Sequence, residues 1–242
     1  MSALFEEIDR RTTPIGEISV RRRLEPTLQI DVYEVKLGDE FLMSSLFTVA
    51  EIALADLGLA AWPGTEAASL DVVVGGLGLG YTARAALADP RVRTCAVVEA
   101  LGAVIEWHAE HLLPMAETMT DDPRCAFVLG DFFALVAADG PLVPDGPARL
   151  HAVLLDVDHS PRHLLSPTHA PFYEAAGLTR LADRLHPGGV FGLWADGAPD
   201  GDFLTTLDQV FASATAHTVT FPNFYTGGES SSTVYVATTA TA

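Results

Sequence analysis

A run of closely spaced glycines at residues 75–80 has the composition of a strand-to-helix turn that can hold a ligand. The run reads Gly-Gly-Leu-Gly-Leu-Gly, follows the apolar residues 72–74 and precedes the helix-prone residues 81–88. Glycine has no Cβ, so backbone N–H groups in such a turn can approach a bound group closely. The purely structural alternative is a turn that needs glycine only for positive φ. The candidate binding residues are Gly75, Gly76, Leu77, Gly78 and Gly80.

An acidic residue follows this turn at a spacing typical of nucleoside-binding folds. The next apolar run, 94–98, ends in Glu99, and Ala100 follows directly. A carboxylate about twenty residues beyond the glycines can accept hydrogen bonds from ribose hydroxyls. Strand, glycines, helix and acid occur in the required order, which favours a nucleoside site over a structural turn.

Two further carboxylates follow predicted strands and are candidates for the same site. Asp131 follows residues 125–130, where it could accept a hydrogen bond from an adenine amino group while Phe132 or Phe133 covers the ring. The alternative for Asp131 is a helix N-cap, and the two roles can coexist. Asp156 follows residues 151–155 and is predicted to be functional rather than a loop-stabilising carboxylate.

The loop after residue 156 is crowded with titratable side chains. Asp158 and His159 are candidate catalytic residues, with a structural role equally open. His163 and His169 lie in the same loop, but the spacing of these histidines does not match a regular metal site, so no metal is expected. A histidine acting as a base, or a loop that shapes the substrate site, is favoured instead. Tyr173 could donate a hydrogen bond nearby or could simply pack.

The predicted elements define an α/β fold. Strands at 15–23, 29–37 and 40–43 form an N-terminal β extension (residues 1–48), and residues 49–242 form the main domain. Strands and helices then alternate, which predicts a doubly wound, mostly parallel sheet with right-handed crossovers. The last two of its seven strands must be antiparallel because the loop between them is short. The strands are at 71–75, 94–99, 125–130, 151–156, 190–194, 218–221 and 233–238, and the helices at 44–59, 81–88, 101–113, 131–137, 171–185 and 202–214.

Composition narrows the classes of partner. The chain has 242 residues, 49% of them apolar, and a net charge of −18. Such an acidic surface disfavours nucleic acid as a partner, and the short basic cluster 21–23 lies in a predicted strand. No apolar run reaches the ~20 residues of a membrane span. The N-terminus lacks the features of a signal peptide, so we expect a cytoplasmic protein whose Cys95 and Cys125 are core residues.

The same residues resemble spermidine synthase and its relatives, the polyamine aminopropyltransferases, which are built on the class I S-adenosylmethionine methyltransferase fold. The resemblance implies that Glu99 holds the ribose, that Asp131 holds the adenine, and that Asp156 takes a proton from the attacking amine. It also implies S-adenosylmethionine or its decarboxylated form as co-substrate, and a homodimer. The residues that carry it are Gly75–Gly80, Val98-Glu99, Leu129-Gly-Asp131, Leu155-Asp156, Pro171-Phe172-Tyr173 and His186-Pro-Gly-Gly189, with Phe221–Tyr225 and Thr233–Ala237 similar to the closing hairpin of the family.

Several positions depart from the pattern of the family. Leu77 stands where the family usually has an aspartate, and His159 replaces a second aspartate. The Tyr-His pair expected at about residues 43–45 is missing. A diamine is a dication that needs carboxylates at both ends. We therefore expect a transferase that moves a methyl or aminopropyl group to a small amine-bearing substrate. We do not expect a standard spermidine synthase. The alternative is a catalytically inactive relative that binds a nucleoside.

Overall fold

The computed structural model describes residues 4–65 and 69–241. Within these ranges the chain forms two β-sheets and seven α-helices. The strands are β1 Phe5–Thr13, β2 Gly16–Glu25, β3 Ile30–Leu37, β4 Glu40–Ser44, β5 Leu70–Gly75, β6 Val92–Glu99, β7 Cys125–Leu129, β8 Leu150–Leu155, β9 Leu185–Asp196, β10 Ser213–Asn223 and β11 Gly228–Thr238. The helices are α1 Val49–Ala60, α2 Tyr81–Ala88, α3 Gly102–Ala109, α4 Ala116–Thr120, α5 Phe132–Ala137, α6 Ala175–Ala182 and α7 Gly201–Val210, with a 3-10 helix at Pro167–Tyr173.

The larger sheet confirms the predicted doubly wound architecture. Its strand order is β10-β11-β9-β8-β5-β6-β7, with β5 to β9 parallel and the closing pair β10 and β11 antiparallel. The strand order reverses between β5 and β8, so the carboxyl ends of these two neighbours flank the crevice where ligands bind in such sheets. One core fills each face of the sheet.

The N-terminal sheet has the order β1-β2-β3-β4 and is antiparallel throughout. Its first strand was not predicted, because β1 is charged on both faces and lacks apolar alternation. Cross-strand ion pairs stabilise it instead, including Arg22 with Glu6 at 2.8 Å. Arg21 and Arg23 both donate hydrogen bonds to Glu34, so these two arginines stabilise the pairing of β2 with β3. The division at residue 48 stays a prediction, since Ile18 and Val20 share one apolar core with the main sheet.

Four predicted helices differ from the structure in their bounds. The helix predicted at 202–214 ends at Val210, because β10 begins at Ser213. The helix predicted at 44–59 begins at Val49 instead. The helix predicted at 101–113 is divided into α3 and α4, because His111 adopts a positive φ of 57° and Pro114 follows. The helix predicted at 171–185 becomes the 3-10 helix and α6, and residues 185–189 belong to β9 rather than to a loop.

The two cysteines are core residues on neighbouring strands. Cys95 and Cys125 are register partners in β6 and β7, and both thiols are free. Burial raises the pKa of Cys125 to about 12, which keeps this thiol protonated and unreactive at neutral pH. Among the described helices, none is both long enough and apolar enough to cross a membrane.

Helix α1 packs very closely onto the centre of the larger sheet. A Cβ placed on Gly58 would lie 2.6 Å from Cδ2 of Leu154, and one placed on Gly192 would lie 2.9 Å from the same atom. Leu154 itself is fully buried. This contact holds the last turn of α1 close against β8 and β9.

We predict that Leu154→Ala lowers the free energy of unfolding by about 2–5 kcal/mol, because it leaves a cavity between α1 and the sheet. Leu28→Ala, at a leucine that is 46% exposed, is the control and should change it by less than ~0.5 kcal/mol. Chemical denaturation measures both values. Equal effects of the two substitutions would contradict the packing described for α1.

Candidate functional site

The glycine turn and the end of β8 are in backbone contact. Gly76, Gly78 and Gly80 all have positive φ, at 93°, 48° and 91°. A Cβ on Gly76 would lie 2.1 Å from the carbonyl oxygen of Asp156, so only glycine permits this approach. The Asp156 N–H donates to the Gly75 carbonyl at 2.8 Å. Residues 75–80 and Asp156 therefore form one continuous rim.

Glu99 lies against the glycine turn. Its side chain is buried, with one oxygen accepting from the Leu77 N–H at 3.0 Å and the other from the Leu101 N–H at 2.8 Å. Burial raises the pKa of Glu99, and the backbone N–H groups of the turn and of Ala100 oppose that shift. The carboxylate is thus held at the end of β6, beside the exposed Ala100. Its expected contact with ribose stays a prediction.

The remaining parts of the turn are covered by apolar and aromatic side chains. Leu77 is buried in the core, in the place where the resemblance expects an aspartate. Met43 from the end of β4 covers the turn, with its sulfur 2.8 Å from where a Cβ on Gly78 would lie. His108 from α3 supports the turn from the protein interior, with Nε2 2.8 Å from the Gly78 carbonyl oxygen. Sequence reasoning missed His108, because a histidine within a predicted helix is ordinary.

Asp131 caps helix α5. One oxygen, Oδ1, accepts from the N–H groups of Phe133 at 2.9 Å and Ala134 at 3.2 Å, so the N-cap alternative is realised. Phe132 is buried beside Gly75, and Phe133 stacks on the ring of His169 with centroids 3.8 Å apart. The second oxygen of Asp131 takes no part in the cap, and its adenine contact stays a prediction.

Asp158 and Tyr173 are partners in a buried network rather than groups at an open rim. The carboxylate of Asp158 accepts from the Tyr173 hydroxyl at 2.9 Å, lies 2.9 Å from Nδ1 of His169, and accepts from the Leu165 N–H at 2.7 Å. Asp158 is 1% exposed. These bonds close the loop after β8, which is the structural alternative for both residues. Their expected catalytic roles stay untested.

A pair of acidic side chains lies at the reversal of the strand order. Asp156 accepts a hydrogen bond from the Thr82 hydroxyl at 2.8 Å, and Glu51 comes from the first turn of α1. Burial raises the pKa of Asp156 to about 6. Burial and the charge of Asp156 together raise the pKa of Glu51 to about 8. At neutral pH the pair therefore retains a proton and carries less than its full charge.

Glu51 was missed by sequence reasoning. A glutamate in the first turn of a helix is ordinary, because it complements the helix dipole. Only the packing of α1 across the sheet brings Glu51 to Asp156, and no spacing along the chain signals that.

Trp194 lies beside this pair. Leu193 of β9 is the register partner of Leu155 of β8, so Trp194 and Asp156 follow at the same level of the sheet. Trp194 packs against the core on the α1 face, the face from which Thr82 reaches Asp156. Its indole N–H is buried and has no hydrogen-bond partner among residues 4–65 and 69–241. A buried donor without a partner is uncommon and is suited to a ligand acceptor.

The arrangement divides into two halves. The glycine turn, Glu99 and Asp131 provide backbone donors and carboxylates of the kind that bind a nucleoside. Glu51 and Asp156 provide acceptors for a cationic amine, and a carboxylate with a pKa near neutral can also accept a proton. Two surface depressions lie elsewhere, one along residues 117–124 and one on the N-terminal sheet. The side chains at the strand ends, rather than a surface depression, therefore define the candidate functional site.

Comparison with known proteins finds one similar sequence and several similar folds. No protein-family model matches the chain. Over 164 residues, 64% of the chain, it is 30% identical to polyamine aminopropyltransferase 2 of Pseudomonas aeruginosa. The chain spans 43% of the length of that relative.

Solved structures show the same fold. A spermidine synthase in complex with the transition-state analogue AdoDATO matches with a TM-score of 0.73 at 18% identity, covering 98% of this chain and 74% of that one. The spermidine synthase of Thermotoga maritima matches with a TM-score of 0.71 at 18% identity, over the same shares of the two chains. A probable spermidine synthase of Corynebacterium glutamicum matches at 0.64 and 14% identity, covering 96% and 79%. In sequence the chain is similar to a polyamine aminopropyltransferase over 64% of its length, and in fold it is similar to spermidine synthases.

The acidic pair predicts a specific dependence of stability on pH. A carboxyl group whose pKa is raised in the folded state stabilises the fold at low pH and loses that contribution as pH rises through the folded value. The free energy of unfolding of wild type should therefore fall between pH 5 and pH 8.5. The fall should be smaller in Glu51→Gln, by roughly 1–3 kcal/mol. Urea denaturation at both pH values measures the difference.

Glu117→Gln is the matched control, because Glu117 is an exposed glutamate in the first turn of α4. It should follow wild type across the pH range. If Glu51→Gln also follows wild type, Glu51 is not a buried carboxyl group beside Asp156.

Proposed function

We propose that this protein is an aminopropyltransferase that takes decarboxylated S-adenosylmethionine as donor and a small amine as acceptor. The observation that carries the proposal is the pair of partly buried carboxylates, Glu51 and Asp156, beside the glycine turn. A protein that only bound a nucleoside would have no use for two desolvated carboxylates at this position, because their burial is unfavourable without a cationic partner.

The charge of the pair favours the decarboxylated donor. S-adenosylmethionine carries an α-carboxylate, which the acidic pair and the net charge of −18 would repel. The decarboxylated form keeps the sulfonium and the ammonium and has no anion. The names of the relatives support this choice, since one is a polyamine aminopropyltransferase and others are spermidine synthases.

The nucleoside half of the proposed site uses the residues predicted from the sequence. Glu99 would accept from the ribose hydroxyls, and the N–H groups of residues 75–80 would surround the donor. Asp131 would accept from the adenine amino group with its free oxygen. Phe132 would hold the end of β5 in place from beneath rather than cover the adenine ring.

In the acceptor half, Glu51 would bind a cationic amine in place of one of the missing carboxylates. Leu77 and His159 replace two aspartates of the family pattern, so only one end of a diamine would find the expected partners. Glu51 supplies a carboxylate from a different element, the first turn of α1. We therefore expect an acceptor amine whose cationic group lies between Glu51 and Asp156, with a shape different from that of putrescine.

The chemical step is a displacement at carbon. The neutral amine attacks the methylene carbon bound to sulfur, a C–N bond forms, the C–S bond breaks, and methylthioadenosine leaves as a neutral thioether. Before the attack, the bound acceptor ammonium gives one proton to Asp156, a carboxylate to which Thr82 donates, and after the attack the product leaves as a secondary ammonium. Asp158, His159 and Tyr173 would shape the loop around the acceptor.

The remaining sequence-based expectations join this proposal. They are a homodimer, a cytoplasmic location, and a small-molecule substrate with no nucleic acid or membrane as partner.

We predict that Asp156→Asn lowers kcat at least 100-fold with little change in affinity for methylthioadenosine, because the amide cannot accept the proton. Methylthioadenosine release from decarboxylated S-adenosylmethionine and a panel of di- and polyamines measures turnover. Asp208→Asn, at an exposed residue of α7, is the control and should match wild type.

Undiminished turnover in Asp156→Asn would remove Asp156 from the mechanism. If wild type binds methylthioadenosine yet turns over no amine with either the decarboxylated donor or S-adenosylmethionine, the protein is a nucleoside-binding relative without this activity. Turnover with S-adenosylmethionine alone would replace aminopropyl transfer by methyl transfer.

A second prediction concerns the nucleoside half. Glu99→Gln should weaken methylthioadenosine binding at least tenfold, because it removes charged hydrogen bonds worth ~1.5–3 kcal/mol each. Calorimetry measures the affinity, and Glu229→Gln, at an exposed glutamate, should bind as wild type does. Normal affinity in Glu99→Gln would show that the ribose assignment is wrong.

A further inference from the structure

Three potential metal ligands meet outside the acidic pair. Glu40 at the start of β4 and His159 and His163 in the loop after β8 place one ligand atom each within 4.8 Å of the others. Nε2 of His159 lies 3.2 Å from Oε1 of Glu40, and the two imidazole rings are 4.7 Å apart. We call these three residues the Glu-His-His cluster.

The backbone around the cluster is fixed. The carbonyl of His159 accepts from the Asp196 N–H at 2.7 Å, which ties the residue to β9. Ser160 and His163 exchange two backbone hydrogen bonds of 3.2 and 3.1 Å, and the Ser160 hydroxyl accepts from the His163 N–H at 3.0 Å. The two histidines are therefore presented by a closed turn rather than by a loose loop.

The turn is also anchored from outside. Arg162, between the two histidines, forms ion pairs with Asp200 and Asp202 at the start of α7. This holds the guanidinium on the side of α7, where its charge is already balanced. A cation at the cluster would then meet a carboxylate and two imidazoles in a protein of net charge −18.

We propose that the Glu-His-His cluster binds a divalent transition-metal ion of the zinc type. Two imidazoles and one carboxylate form a common zinc ligand set, with a fourth position open to water. Ligands at ~2.0–2.1 Å in tetrahedral geometry lie about 3.3 Å from one another. The ligand atoms here, between 3.2 Å and 4.8 Å apart, need only small side-chain rotations to reach that spacing.

The alternative is an ordinary hydrogen bond between Glu40 and one histidine. It accounts for the 3.2 Å contact of His159 but leaves His163 without a role in the cluster. A shared cation accounts for all three side chains, because each of them offers one ligand atom to the same point in space.

The metal would connect two parts of the chain. Glu40 belongs to the N-terminal sheet, and the histidines belong to the loop that starts at Asp156 and is separated from Glu40 by over a hundred residues. An ion at this position would connect the N-terminal sheet to the loop after β8, and that loop begins at Asp156 of the acidic pair. The inference does not depend on aminopropyl transfer and holds for any activity of the site.

The test uses the full chain without a histidine tag. Titration of the apoprotein with zinc should give one site with Kd below ~10 μM at pH 7.5, and zinc should raise Tm. Cobalt should give visible absorption bands of a four-coordinate site. Glu40→Gln and His163→Ala should each weaken zinc binding at least tenfold, without loss of the fold by circular dichroism.

Two variants serve as controls. His111→Ala removes an exposed histidine elsewhere, and Glu229→Gln removes an exposed carboxylate, and both should bind zinc as wild type does. Zinc binding weaker than ~100 μM in wild type would overturn the proposal. Equal affinity in wild type, Glu40→Gln and His163→Ala would overturn it as well, because the ion would then be held elsewhere.

Discussion

The proposed site depends on two neighbouring carboxylates that the fold removes from most of their solvent. Glu51 and Asp156 are held together where the strand order reverses, and burial raises the pKa of both. Such a pair is unfavourable in a fold that has no cation for it. Its presence is most simply explained by a cationic ligand that neutralises the pair and by a proton that the pair can take up. In the proposed function, the nucleoside half of the rim would place a sulfonium donor beside this pair.

The scaffold achieves this with very close backbone contacts. Gly76 lets the turn after β5 touch the carbonyl of Asp156, and Gly58 lets α1 approach Leu154. The first contact forms the rim, and the second holds the last turn of α1 against the sheet. A side chain at either glycine would clash with these atoms, so the elements could not pack as closely.

Much of the fold and about half of the site follow from the sequence. Alternating apolar runs and helices determine which residues end parallel strands, so the rim positions of Glu99, Asp131 and Asp156 were predictable. The charged strand β1 was not, because cross-strand ion pairs replace an apolar pattern there. Glu51 and the Glu40–His159 contact were not either, because packing between distant segments creates them. Asp158 and Tyr173 show the reverse case, in which side chains suited to chemistry satisfy each other in a buried network.

In the proposed function, one edge of the sheet holds an adenosyl group next to an acidic pocket, and the pocket selects against a donor with a negatively charged tail. Calorimetry of wild type with decarboxylated S-adenosylmethionine, S-adenosylmethionine and methylthioadenosine tests this most directly. We expect the decarboxylated donor to bind at least tenfold more tightly than S-adenosylmethionine, and we expect methylthioadenosine to bind as well. Equal affinity for the two donors, or no binding of any of the three, would contradict it.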